Sequence, residues 1–127
     1  MWDSYNKNLR LLLVEDAPFL RYAFGRLLRM HGFEVMEATD GREALDCVGK
    51  FRPQLVVTDL AMPIMDGVEL IRRLRANPET ARLPVIAITA DSSGQSEKRA
   101  RAAGADDFVT KPIDLPTLLD RLRAIPV

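Results

Sequence analysis

Short apolar runs alternate with longer amphipathic segments along almost the whole chain. The runs Leu9–Val14, Phe33–Ala38, Leu55–Thr58, Val85–Thr89 and Asp107–Thr110 predict five strands. Between the first two, Leu20, Ala23, Phe24, Leu27 and Leu28 recur at three- and four-residue spacing and predict a helix. Asp16 is its expected cap, Pro18 suits a first turn and Gly32 lies past the end. Weaker periodic segments at Glu43–Val48, Val68–Leu74, Gln95–Ala103 and Leu115–Ile125 give four more helices, with Gly104 as a stop for the fourth. Regular alternation of strand and helix argues for an α/β fold with a parallel sheet. Near-continuous apolar strands argue that both sheet faces are covered.

The expected fold is therefore a doubly wound, five-stranded parallel sheet of (βα)5 type. Its flavodoxin-like strand order, 2-1-3-4-5, is taken over from folds of this class; it opens a crevice at the carboxyl ends of strands one and three. With 127 residues the chain suits a single domain. Residues 9–125 carry the pattern, and residues 1–8, which include Trp2 and Tyr5, show no period and read as a tail.

Composition narrows the partners. Lys plus Arg and Asp plus Glu number 18 each, so the chain offers no bulk charge to draw nucleic acid or an anionic membrane. No apolar run approaches the ~20 residues of a membrane helix, and no basic-then-apolar leader opens the sequence, so a cytoplasmic protein is expected. The lone Cys47 sits beside Ala44, Leu45 and Val48 and reads as a small core residue rather than a reactive thiol. His31, isolated at the end of the first helix, gives no support to a zinc site.

The chemistry lies where the strands end. Glu15-Asp16, Asp59, Thr89 and Lys111 follow or close the first, third, fourth and fifth strands, and in a parallel sheet those ends share one rim. Taken singly, a strand-end Asp is usually a helix cap, a Lys solvated and a Thr a β-former. Nothing about sheet stability gathers all of them on one edge. Three neighbouring carboxylates repel one another unless a cation intervenes, and oxygen ligands alone point to Mg²⁺, with Mn²⁺ able to substitute. A carboxylate can attack phosphorus. Asp59 would then be the nucleophile, Asp16 the direct metal ligand and Glu15 a ligand through water. Lys111 and Thr89 would hold phosphoryl oxygens.

Val14-Glu15-Asp16, the segment Asp59-Leu60-Ala61-Met62-Pro63-Ile64-Met65-Asp66-Gly67, Ile88-Thr89-Ala90 and Lys111-Pro112 together resemble the receiver domain of two-component response regulators. The resemblance covers about residues 9–125. It implies transfer of a phosphoryl group to Asp59 from a phosphohistidine on a sensor histidine kinase or a histidine phosphotransfer protein. It also implies Mg²⁺ held by Asp16, Asp59 and the backbone carbonyl of Ala61, and a cis peptide at Lys111-Pro112. Glu15 replaces the more frequent Asp of the acidic pair, a change suited to a water-mediated ligand. Ala61 and Asp91 match the positions that in this family govern water access to the phosphoryl group.

Phe108 matches the aromatic residue that turns inward as Thr89 moves; ordinary strand core is its plainer reading. A switched face carrying Lys98, Arg99, Arg101, Phe108, Arg121 and Arg123 would meet an unknown downstream protein, or a second copy in a phosphorylation-dependent dimer of an otherwise monomeric chain. Direct contact with nucleic acid or membrane is not expected.

Two rivals are weaker. A haloacid-dehalogenase type of phosphatase also uses a strand-end Asp with Mg²⁺, but it needs a second Asp two residues on, where this chain has Ala61. A flavin or dinucleotide module needs glycines in the first strand-helix turn, which reads Glu15-Asp16-Ala17-Pro18. The expected role is a phosphoacceptor acting only on its own Asp59, either as a single-domain regulator or as a receiver cut from a hybrid kinase or multidomain regulator.

Overall fold

The computed structural model describes residues 9–125; the tail expected over 1–8 lies outside the described residues. In chain order the elements are β1 (Arg10–Val14), α1 (Pro18–Met30), β2 (Glu34–Ala38), α2 (Gly41–Phe51), β3 (Leu55–Asp59), α3 (Gly67–Ala76), β4 (Val85–Thr89), α4 (Gln95–Ala103), β5 (Asp107–Thr110) and α5 (Leu115–Ala124). The strands form one sheet in the order β2-β1-β3-β4-β5, every pair parallel. Parallel neighbours need a crossover between them, and each crossover here holds one helix.

Side-chain alternation along the strands divides the core into two layers. Leu12, Val14, Val56, Val85 and Ala87 point to one face, where Ala44 of α2, Leu70 and Leu74 of α3 and Ala100 of α4 cover them. Leu11, Leu13, Leu55, Val57, Ile86 and Ile88 point to the other, under Leu28 of α1 and Leu118 and Leu122 of α5. The three central strands are buried along nearly their whole length, as the continuous apolar runs require. At the edge, β2 alternates between exposed and half-buried positions and carries Glu34 outward, a charge that discourages further strand pairing.

Local chemistry sets the element ends. Asp40, Asp66 and Asp114 each accept the backbone N–H three residues on, from Glu43, Glu69 and Thr117, and start α2, α3 and α5. Asp16 does not cap α1. The N-cap is Ala17, with no side-chain cap bond, because Pro18 already fills the first helical turn and the free Ala17 N–H is taken by Glu15 Oε2 at 3.1 Å. Asp16 thus keeps its carboxylate out of helix capping. His31 closes α1 as its C-cap, its Nδ1 lying 2.9 Å from the Leu27 carbonyl. Phe33, expected in β2, instead turns its N–H back to Leu28 O and is buried beneath α1. Cys47 is half-buried against the α2–α4 layer, and burial, with the charges of Glu43 and Asp46, raises its thiol pKa.

Candidate functional site

The acidic pair leaves β1 where neighbouring crossovers diverge, to β2 on one side and β3 on the other. Glu15 is fixed by its N–H to the Ala38 carbonyl at 3.0 Å, so its side chain stays in line with the buried strand and is only 4% exposed. Asp16, one residue further, is half-exposed. Asp59 is itself the last residue of β3 and is also 4% exposed. Its backbone is held from both sides: Thr58 Oγ1 donates to the Asp59 carbonyl at 2.9 Å, and the next N–H, of Leu60, bonds Ile88 O at 3.0 Å.

Oxygen atoms of Glu15, Asp16 and Asp59 all lie within 4.8 Å of one another. Lys111 faces them from the loop after β5. Its Nζ donates to Asp59 Oδ2 at 2.8 Å and lies 3.2 Å from Glu15 Oε1. The second Asp59 oxygen accepts the Ala61 N–H at 3.3 Å. Thr89, at the end of β4, is 5% exposed, and its Oγ1 accepts the Asp91 N–H at 3.0 Å. Lys111 is tied to Thr89 through the backbone, its N–H to Thr89 O at 2.7 Å, and the Lys111-Pro112 peptide is cis.

The electrostatics follow from burial. Glu15 has its pKa raised, chiefly by loss of water and also by the negative charge of Asp59. The Ala17 N–H and the Lys111 ammonium oppose that rise. For Lys111 burial disfavours the charged form, yet the hydrogen bond and attraction to Asp59, with Glu15 adding to them, outweigh it and raise the pKa. A protonated lysine is thus the cation that lets the buried carboxylates coexist. Of the three, Asp16 alone has no hydrogen bond to its carboxylate from another described residue. A hard divalent cation fits this donor set, since oxygen-only ligands crowd a half-open pocket and the carboxylate with least protein contact is the one facing solvent.

The structure thus brings Glu15, Asp16, Asp59, Thr89 and Lys111 to one rim, with Ala61 in the loop beside them. Between that loop and the β4–α4 loop runs a groove of about 490 Å³ bordered by Ala61, Met62, Thr89, Asp91 and Arg99. Phe108 lies apart from the rim, half-buried against the α2–α4 layer, with the Arg101 guanidinium 5.6 Å above its ring.

A family model described as "Response regulator receiver domain" matches residues 11–123. The chain belongs to the response-regulator receiver family. Response regulator MprA of Mycolicibacterium vanbaalenii is 41% identical over 117 residues, which is 92% of this chain and 50% of that protein. MprA of Mycobacterium bovis is 39% identical over 118 residues, again 50% of its length. The receiver therefore spans about half the length of the curated relatives it matches. Among solved structures, the chemotaxis response regulator CheY4 of Vibrio cholerae superposes with a TM-score of 0.86 at 31% identity, covering 92% of this chain and 98% of CheY4. The receiver domain of the sensor histidine kinase PA1611 from Pseudomonas aeruginosa, which holds a magnesium ion in its active-site cleft, gives a TM-score of 0.82 at 29% identity. It covers 91% of this chain and 94% of that domain. As a receiver domain the chain is a phosphoacceptor of two-component signalling.

Two features of this receiver site escaped sequence reasoning. Arg21, on the first turns of α1, reaches back to the carbonyls of the acidic pair. Gly67 starts α3 so close to β3 that a Cβ there would run into the Asp59 carbonyl oxygen and Leu60 Cα. The Asp66-Gly67 pair was a visible signal for the second; for Arg21 a basic residue on an amphipathic helix signals nothing by itself.

Proposed function

We propose that Asp59 is the phosphoacceptor, with a divalent metal at Glu15, Asp16, Asp59 and the Ala61 carbonyl, Mg²⁺ first and Mn²⁺ able to replace it. The observation that carries this reading is the buried Asp59 carboxylate, pinned at both oxygens by Lys111 and the Ala61 N–H and within reach of two further carboxylates. An Asp59 oxygen attacks phosphorus; the new O–P bond forms as the P–N bond of a phosphohistidine breaks, and the departing imidazole takes up a proton. Lys111, already 2.8 Å from Asp59, pairs with a phosphoryl oxygen as charge arrives, and Thr89 turns its hydroxyl from the Asp91 N–H to donate to another. When bound, the metal neutralises the growing negative charge on the phosphoryl group. Turnover is confined to the chain's own Asp59, since Ala61 supplies no acid or base for a second substrate.

The phosphodonor, a sensor histidine kinase or a histidine phosphotransfer protein, meets the rim beside α1. Phe19, directly after the acidic turn, is 79% exposed and Tyr22, one turn on, 63%, and Ile64 in the β3–α3 loop is 79% exposed. Large apolar side chains left in water next to a reactive carboxylate favour a docked protein over a small substrate. Such a donor is charged from ATP, and this reading puts the receiver in the cytoplasm beside it. The regulator's target is a protein.

Incubation with Mg²⁺ and acetyl phosphate, followed by intact mass and peptide mapping, tests the assignment. One phosphate on Asp59, absent without the metal and absent in Asp59→Asn, is the expected result. A phosphate mapped to Ser or Thr overturns it.

A further inference from the structure

We propose that Arg21 is a positioning residue for the metal site, a brace that holds the Glu15-Asp16 turn in ligating shape and is itself held by Glu37, which Arg29 anchors in turn. The inference rests on the reading of the acidic trio as a divalent-metal site. Arg21 Nη1 donates to the Glu15 carbonyl at 2.9 Å and to the Asp16 carbonyl at 3.3 Å, from behind the turn whose side chains face the rim. Both bonds leave the one nitrogen Nη1 and are charge-assisted, while Nε of the same rigid planar fork faces Glu37, so one side chain ties two successive carbonyls to β2. Asp16 needs such help. Its carboxylate has no hydrogen bond from a described residue, so its direction is set by its backbone.

The far side of the guanidinium is also committed. Arg21 Nε lies 3.6 Å from Glu37 Oε1, while Arg29 Nη1 donates to Glu37 Oε2 at 3.0 Å and Arg29 Nη2 to the Val35 carbonyl at 3.0 Å. Residues 21, 25 and 29 stand four apart and so share one face of α1, the face turned to β2. Gly25 makes the room: a Cβ there would come within 2.6 Å of Glu37 Oε2. A chain of contacts thus runs from β2 through Glu37 to Arg21 and on to the acidic turn.

Isothermal titration of the full chain with Mg²⁺ alone, without a phosphodonor, tests the brace. Wild type should bind, and Arg21→Met should bind at least about tenfold more weakly, the usual loss when a group orienting a ligand is removed. Arg21→Lys keeps the charge but not the fork and should recover only part of the affinity. Gly25→Ala and Glu37→Gln touch no ligand, yet should weaken Mg²⁺ binding by smaller factors and shift the amide signals of Glu15 and Asp16 in the metal-free protein. Circular dichroism separates folding from binding, and if Arg21→Met fails to fold, the Gly25 and Glu37 variants decide. Wild type that ignores Mg²⁺ sinks the metal-site reading itself. Wild type that binds while folded variants keep its affinity, or full rescue by Arg21→Lys, overturns the brace alone.

Discussion

Asp91 shows how far a single side chain can be committed at the edge of this site. Its carboxylate accepts from the Ser93 N–H at 2.8 Å, the Ser96 hydroxyl at 2.9 Å and the Ser96 N–H at 3.2 Å, and these bonds, those of Ser93 foremost, hold its pKa down to about 2. A depressed carboxyl stabilises the fold above its unfolded value and loses that contribution as pH falls through the folded one. The Asp91 carboxyl carbon should therefore still report an ionised group at pH about 3.5, where an ordinary aspartate is largely protonated. Titration near the ordinary value would mean the β4–α4 loop is not tied in this way. Glu15 and Asp16 are committed unequally. Glu15 is already engaged by Lys111 and the Ala17 N–H, whereas Asp16 is not, so Asp16→Asn should weaken Mg²⁺ binding more than Glu15→Gln. Equal affinities for the two variants would contradict the ranking. Both residues were legible in the sequence as strand-end acids. So were their unequal roles toward a metal; the bond that engages Glu15 was not, because it comes from Lys111, almost a hundred residues away.

At the scale of elements, the junction of β3 and α3 carries the most constraint. Gly67 donates its N–H to Leu60 O at 2.9 Å, which folds the loop tightly back onto the end of the strand. Gly67→Ala puts a methyl against backbone that cannot move without moving Asp59, so it should cost about 1–3 kcal/mol, as overpacking does. A urea midpoint equal to that of wild type would show that the loop gives way instead. The caps of α2, α3 and α5 follow from Asp placed just before a periodic segment, a pattern visible in the sequence. Asp16 has the same appearance and does not cap, since a proline after Ala17 shifts the start of α1 and leaves the acid to the rim. The basic residues of α4 and α5 changed meaning in a similar way. Arg101 pairs with Glu97 at 2.9 Å and Asp107 at 3.3 Å, Arg121 lies 3.5 Å from Asp107, and Arg123 the same distance from Asp120. On the α4–β5–α5 face an ion-pair lattice thus takes up Arg101, Arg121 and Arg123, while Lys98 and Arg99 make no ion pair among the described residues.

For the whole molecule, that lattice is where a phosphoryl signal would be read. Thr89 and Lys111 join across β4 and β5 through their backbone bond, and Phe108 sits on β5 beneath Arg101. A phosphoryl group adding about −1.5 to −2 charge near pH 7 competes for Lys111 and Thr89 and biases whichever arrangement of this face suits the new contacts. Phosphorylation, or its beryllofluoride mimic, should therefore shift amide signals through residues 90–123. Shifts confined to the neighbours of Asp16, Asp59, Thr89 and Lys111 would mean that phosphate is held without being transmitted.

Periodicity and residue type belong to short stretches of chain, so the sequence alone determined the five strands, the five helices, the parallel sheet and the set of polar residues on its rim. It also marked Gly32 and Gly104 as helix stops, while its one cap, Asp16, proved to belong to the rim. Tertiary structure decided what needs closure of distant segments: the lysine bridging two buried carboxylates, the arginine behind the acidic turn, the room that Gly25 leaves for Glu37, and the pairing of Arg101 and Arg121 with Asp107. Each joins groups from different elements, and their strength is set by burial and by distances of a few ångströms, which no local pattern encodes.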